Sequence, residues 1–178
     1  MIVEATAFRG VHFLRGVRHR DPRGSLRKVL VAGAARDAGL DVSFDEVVVT
    51  TNDLAGTVRG MHFQVPPHAE TKTLWVTAGA LFDVLVDMRP EEPTYGSWLG
   101  VDLTADDDLA LQVPPGVAHG YQTLVAGTTI TYLIRGSHSP EHARTLRWDD
   151  LTVAITWPHE VSQISDKDRE GSSWPVES

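Results

Sequence analysis

The segment that most narrows the possible folds is Leu81-Phe82-Asp83-Val84-Leu85-Val86-Asp87-Met88. Alternation puts Phe82, Val84, Val86 and Met88 on one face and Asp83 and Asp87 on the other, a period of two that a strand satisfies and a helix does not. Similar β-rich runs occur at Leu26–Val31, Phe44–Thr51, Thr73–Thr77, Leu109–Val113, Thr128–Ile134 and Val153–Trp157. Turn chemistry separates them, at Ala78-Gly79, Pro93-Thr94-Tyr95-Gly96, Pro114-Pro115-Gly116 and Ala126-Gly127. Seven or more short strands at this spacing predict an all-β antiparallel sandwich or barrel. Helix signals are confined to Gly33–Gly39 and to Thr104–Asp108, where an N-cap Thr precedes acidic residues. After Trp157-Pro158 the chain becomes polar, and from about Val161 it reads as an irregular segment on the barrel followed by a loose end.

A length of 178 residues with 42% hydrophobic content suits one domain, taken as residues 1–178, with one sizeable core. No run approaches the roughly 18 apolar residues of a membrane span, and the first residues lack the apolar stretch of a secretory signal. A soluble protein of the cytoplasm is therefore expected. The chain has no cysteine, which excludes disulfides and thiolate metal sites. Its formal net charge of -8 argues against a nucleic-acid surface, since phosphate backbones are met by clustered Lys and Arg. Basic residues do gather at Arg15, Arg18, Arg20, Arg23, Arg27 and Lys28, with Arg59 and Lys72 further on. Such a set is either a solvated face or a pocket for one phosphorylated small molecule.

Several polar residues fall on otherwise apolar strand faces. In Val58-Arg59-Gly60-Met61-His62-Phe63-Gln64, alternation turns Met61 and Phe63 away from His62 and Gln64. Lys72 shares parity with Leu74 and Val76, and Tyr132 lies between Ile130 and Ile134. His119 follows a Pro-Gly turn in Val113-Pro114-Pro115-Gly116-Val117-Ala118-His119-Gly120-Tyr121. Small barrels with such a segment can use the histidine as a metal ligand, and His62, His68, Glu70 and His119 would be the donors available. The usual second histidine is missing, however, because Phe63 and Gln64 follow His62, and His68 and Glu70 lie after Pro66-Pro67 in what reads as a loop.

Taken together, these segments resemble the dTDP-4-dehydrorhamnose 3,5-epimerase family. The resemblance extends over nearly the whole chain, through Asp21-Pro22-Arg23-Gly24, Arg59-Gly60-Met61-His62-Phe63-Gln64, Phe82–Arg89, Pro93-Thr94-Tyr95-Gly96-Ser97-Trp98, Val113–Tyr121, Arg147-Trp148-Asp149-Asp150 and Ile155-Thr156-Trp157-Pro158. It implies a homodimeric cupin-type jelly-roll barrel with short peripheral helices, and an enzyme that uses no metal or other cofactor. It also implies inversion at C3, C5 or both of a dTDP-4-keto-6-deoxyhexose in deoxysugar biosynthesis, and the high Ala, Val, Asp and Arg usage suits a pathway that decorates a secondary metabolite such as an antibiotic. By the same resemblance His62 is the base, Asp168 its paired carboxylate, Lys72 the cation near the ketone and Tyr132 the proton donor. Arg23, Arg59, His119, Lys167 and Gln64 bind substrate, the arginines at the nucleotide end.

The residue types suit that chemistry. A carbon beside a ketone yields its proton only if charge developing on the enolate oxygen is stabilised, a task for a fixed cation. Histidine, with an unperturbed pKa of about 6.5, suits the base, and a carboxylate can orient its ring. The chain departs from the family pattern at Lys28, where an acidic residue is usual, at Ser137 and His138, which replace aromatic residues, and at Ala143, which replaces glutamate. These changes alter expected pocket walls and put inversion at a single position ahead of inversion at two. Two other readings of the residues remain: a metal-dependent cupin oxygenase or isomerase centred on His119, and a non-catalytic cupin that binds sugar nucleotides.

Overall fold

Residues 1–176 are described by the computed structural model of the chain. The alternating Leu81–Met88 segment forms most of β8 (Ala80–Asp87), which lies inside a five-stranded antiparallel sheet. Its neighbours are β11 (Val117–Thr123) and β9 (Trp98–Thr104), while β6 (Val58–Gln64) and β13 (Ala143–Thr145) complete the sheet in the order β13-β6-β11-β8-β9. A six-stranded antiparallel sheet faces it. This sheet comprises β1 (Ile2–Ala5), β2 (His12–Arg15), β5 (Glu46–Asn52), β7 (Thr71–Ala78), β10 (Leu109–Val113) and β12 (Thr128–Arg135), in the order β1-β2-β10-β7-β12-β5. A separate hairpin, β3 (Val17–Asp21) with β4 (Gly24–Lys28), belongs to neither sheet. The architecture is the cupin-type jelly roll, with two short helices, α1 (Ala32–Asp37) and α2 (Asp166–Arg169).

The two sheets are held together by Leu74, Val76, Leu81, Leu85, Leu103, Leu111, Val113, Ile130 and Tyr121, which meet between them. Removing each large apolar side chain from water is worth about 1.5–3 kcal/mol. On β8 it is Leu81 and Leu85, in step with Asp83, that point into this space, whereas Phe82, Val84 and Val86 point outwards. The outward face is also buried. The segment after β13 folds over it, so that Leu146, Val153, Ile155, Trp157 and Trp174 pack on Met61, Phe63, Val84, Val86 and Ala118. Both faces of the central strands are therefore sealed, one by the opposite sheet and one by the C-terminal wrap.

That wrap corrects the expectation of a strand at Val153–Trp157, since no strand forms there. Asp150 Oδ1 instead accepts the amides of Thr152 and Val153, at 2.9 and 3.0 Å, and Trp157 Nε1 donates to the Trp148 carbonyl at 2.9 Å. The backbone is thus satisfied by turns and side chains rather than by a ladder. Nor, among the described residues, is the tail a loose end. Gln163 bridges Thr57, Ser172 bridges Leu146, and the Ser165 hydroxyl caps α2 by accepting the Asp168 amide at 3.2 Å.

Two further expectations shift. Thr104–Asp108 is a turn, not a helix, because Thr104 Oγ1 accepts the amides of Asp106 and Asp107 while Asp107 Oδ2 accepts the Thr104 amide. The carbonyls of Ala105, Asp106 and Asp107, which a helix would use, accept instead from the guanidiniums of Arg18 and Arg27. The Leu26–Val31 run pairs only as far as Lys28, where the hairpin ends, and the chain then leads into α1. Among the described residues no helix is long and apolar enough to cross a membrane.

Candidate active site

A cavity of about 210 Å³ opens between the two sheets. From the five-stranded sheet it is lined by Arg59, His62, His119, Gly120 and Tyr121, and from the six-stranded sheet by Val48, Thr50, Lys72, Tyr132 and Ile134. Among its lining side chains are the cations Arg59 and Lys72 and the imidazoles of His62 and His119, so a chain of net charge -8 gathers its basic groups locally here.

The backbone arrangement that places these groups begins at Gly60. Its φ is +130°, a conformation L side chains rarely adopt, and a Cβ built there would lie 2.5 Å from the Gly120 Cα. The opposite glycine is as crowded, since a Cβ on Gly120 would lie 2.7 Å from the Arg59 carbonyl oxygen. Between these two glycines the pairing of β6 and β11 slips: His119 faces His62, but Tyr121 faces Arg59. Such a bulge resets the side-chain parity of the strand. Arg59 and His62, three positions apart, therefore both reach the cavity, where uninterrupted alternation would have sent them to opposite faces.

His62 is backed by a carboxylate brought from the far end of the chain. Helix α2 carries Asp168, whose Oδ1 lies 2.6 Å from His62 Nε2 and whose Oδ2 accepts the Gly60 amide at 3.2 Å. Burial pushes the Asp168 carboxyl up, but the hydrogen bond and charge of His62, with the Gly60 amide and Ser165 hydroxyl, hold it below the usual carboxylate range. An ionised carboxylate can only accept, so Nε2 carries a proton, and in the neutral ring the lone pair is the one on Nδ1. The imidazole side chain remains 40% exposed, accessible from the cavity, whereas that of Asp168 is buried.

Across the cavity stands Tyr132, whose phenol is raised well above its ordinary pKa, first by burial and then by the neighbouring Tyr121 and Asp83. It holds its proton at neutral pH. His119 packs edge-on against Tyr132, with ring centroids 5.9 Å apart, and its Nε2 lies 2.8 Å from Asp83 Oδ2. Burial lifts the Asp83 carboxyl above its normal range, against the pull of His119 and Lys72, and its other oxygen has no hydrogen-bond partner. Lys72 donates to the His62 carbonyl at 3.3 Å and pairs with Glu70 at 2.9 Å. Arg59 is held from Nε to Asn52 Oδ1 at 2.8 Å, and it also lines a second cavity of about 270 Å³ with Thr51, Asp53, Thr57, Gln163 and Asp168.

His62, Lys72, Tyr132, His119 and Arg59 thus line one cavity, with Asp168 directly behind His62. Three residues expected at the site lie elsewhere in the chain. Gln64 is buried just past His62, with its amide bonded to the carbonyls of His68 and Ser137 and to Glu70. Lys167 is exposed on α2. Arg23 is at the tip of the β3–β4 hairpin, paired with Asp21 at 2.6 Å. Ser137, His138, Ala143 and Lys28, the departures from the family pattern, do not line the cavity. Asp83 and Asn52 are not expected here from their sequence positions, and Glu70 is expected only as a possible metal donor. For Asp83 the signal was its parity with Leu81 and Leu85, which makes a carboxylate share a face with core leucines.

The candidate metal donors are taken up by other partners. His62 and His119 are each engaged by a different carboxylate, Glu70 is paired with Lys72, and His68 stacks on His142 with centroids 4.5 Å apart. Among the described residues no group of three or more His, Asp or Glu is arranged to hold a metal ion.

Fold and cavity together define a cupin-type jelly roll with ionisable side chains gathered in a cavity between its sheets. The chain matches the family model of dTDP-4-dehydrorhamnose 3,5-epimerase over residues 5–175. It is 38% identical over 169 residues to the dTDP-4-dehydrorhamnose 3,5-epimerase of Sinorhizobium fredii, covering 94% of this chain and 87% of that protein. The crystal structure of the corresponding Bacillus anthracis enzyme with TDP and pyrophosphate bound superposes with a TM-score of 0.92 at 38% identity, covering 97% of this chain and 98% of the other. NovW, a 4-keto-6-deoxy sugar epimerase from the novobiocin cluster of Streptomyces spheroides, also gives 0.92, at 28% identity over 97% of this chain and 87% of its own. The chain belongs to the dTDP-4-dehydrorhamnose 3,5-epimerase family, whose members are isomerases of dTDP-linked sugars.

Proposed function

We propose that this enzyme inverts C3, C5 or both of a dTDP-4-keto-6-deoxyhexose. The observation that carries the residue assignment is the placement of His62 and Tyr132 on facing sheets around one cavity, with the Lys72 ammonium beside them. His62 Nδ1 takes the proton from the carbon next to the C4 ketone, and the C–H electrons move into the ring to leave an enolate with its charge on O4. Lys72 stabilises that oxygen, and Asp168 steadies the imidazolium. Tyr132 then gives its phenolic proton to the same carbon from the other face, the enolate collapses to the ketone, and exchange with solvent resets both groups. Arg59, between the two cavities, binds the diphosphate, with the sugar in the smaller space; His119 hydrogen-bonds the sugar.

The reading includes a homodimer. Strand β5 leaves one edge of its sheet unpaired, and Val47, Val49 and Leu26 are exposed, the last on the separate hairpin. A second copy docking there would cover these side chains and could carry its Arg23 towards the nucleotide. A cytoplasmic setting goes with a sugar-nucleotide substrate.

The deciding experiment incubates the protein with dTDP-4-keto-6-deoxyglucose in deuterated water and follows C3 and C5 by NMR. Deuterium at one or both carbons with inverted configuration is expected; a substrate recovered without label would overturn the proposal. Light scattering at about twice the chain mass is expected for the dimer, and a monomer would remove that part alone.

A further inference from the structure

We propose that Glu70 is the positioning residue for Lys72, aiming its ammonium into the cavity. The inference rests on the functional reading above only for the kinetic consequence; the arrangement itself is geometric. An ammonium has three N–H donors. One is directed to Glu70 Oε1 at 2.9 Å and one to the His62 carbonyl at 3.3 Å. With two donors fixed on separate supports, the third is left for the cavity that Lys72 lines.

Glu70 is itself anchored. Its second oxygen, Oε2, accepts from Gln64 Nε2 at 3.3 Å, and that amide also reaches the carbonyls of His68 and Ser137. Gln64 Oε1 in turn accepts the Ser139 amide at 2.7 Å. A buried carboxamide thus ties the 137–139 turn to Glu70, and Glu70 to Lys72. The side chains of Lys72 and Glu70 are both nearly covered, 11% and 13% exposed, so water competes little for the pair. Glu70 stands behind Lys72 and is not among the residues that line the cavity. Its effect on catalysis passes entirely through where the Lys72 nitrogen stands, and Gln64 acts one step further back.

The test compares Glu70→Ala with Glu70→Gln. Glutamine keeps a carbonyl oxygen for Lys72 and a partner for Gln64, whereas alanine removes both. Misplacement of one stabilising donor should lower kcat of Glu70→Ala by about 10- to 100-fold, with KM for the dTDP-sugar within about threefold of wild type because the nucleotide is held elsewhere. Glu70→Gln should recover most of that loss. A kcat for Glu70→Ala close to wild type, or equal impairment of the two variants, would overturn the proposal while leaving the functional reading untouched. Should the wild-type protein not act on this substrate, the functional reading fails instead, and a crystal structure of Glu70→Ala still decides the inference: Lys72 Nζ displaced from the His62 carbonyl supports it, and an unmoved nitrogen overturns it.

Discussion

Asp168 and His62 are 106 positions apart in the chain, yet their side chains meet at 2.6 Å, because α2 folds back against the start of β6. The pairing settles which imidazole nitrogen is available to the cavity. Replacing Asp168 by asparagine keeps the shape but offers the ring an amide that can present either a donor or an acceptor, so the tautomer is no longer fixed. Asp168→Asn should lower kcat by about 10²- to 10⁴-fold, the range of a lost general base, with little change in dTDP affinity. Steady-state kinetics alongside calorimetric titration with dTDP would check it, and an undiminished kcat would remove the dyad from the mechanism.

Tyr132 faces His62 from the opposite sheet, so the two proton transfers can be separated. In Tyr132→Phe the base survives while the opposite acid is lost. The substrate should still exchange a ring proton for deuterium, with configuration retained, while formation of the inverted product falls by about 10²-fold or more. NMR of the recovered sugar distinguishes exchange from inversion. Full inversion by this variant would assign the acid role to another group.

How much of this could be read from the sequence depends on what each residue's position reports. Strand parity gave the faces of β8 correctly, because a period of two is a local property. It placed Met61 and Phe63 opposite His62 for the same reason. It could not bring Arg59 onto the face of His62, since that requires the bulge, and the bulge follows from contact between Gly60 and Gly120, residues on different strands. The tail was harder still. Asp166-Lys167-Asp168 has no pattern that distinguishes a solvated cluster from a capped helix, and only the tertiary wrap over Met61 and Phe63 turns one of its carboxylates inward. Likewise Thr104–Asp108 carries a helix-start signature, but arginines from a remote hairpin occupy its carbonyls. Long-range contacts overruled the local pattern at each of these places.

The glycine contact yields a direct prediction. In Gly60→Ala the new methyl group would be forced against the Gly120 backbone, in a conformation that itself costs about 1–3 kcal/mol. Strands β6 and β11 would have to part, moving His62 and His119 together. Both thermal stability and kcat should fall, and a crystal structure of any folded variant should show the His119–His62 register changed. An alanine accommodated without loss of either quantity would refute the account of the bulge.

Acid should weaken the fold through its paired carboxyls. Asp87 is buried and accepts from Arg89 at 2.7 Å and from Thr94 at 2.6 Å; burial pushes its carboxyl up, but those partners together hold it below its ordinary value, as His62 and Gly60 do for Asp168. A group whose folded-state pKa lies below an unfolded value of about 3.9 adds stability above that pH, and the contribution is lost as pH falls through the folded value. Denaturant unfolding should therefore show these groups' contribution complete above about pH 5 and declining below about pH 4. In Asp87→Asn, stability at neutral pH should be lower and the acid decline shallower, because one of the titrating groups is gone. An unchanged acid decline in that variant would mean that Asp87 is not among the groups whose protonation loosens the barrel.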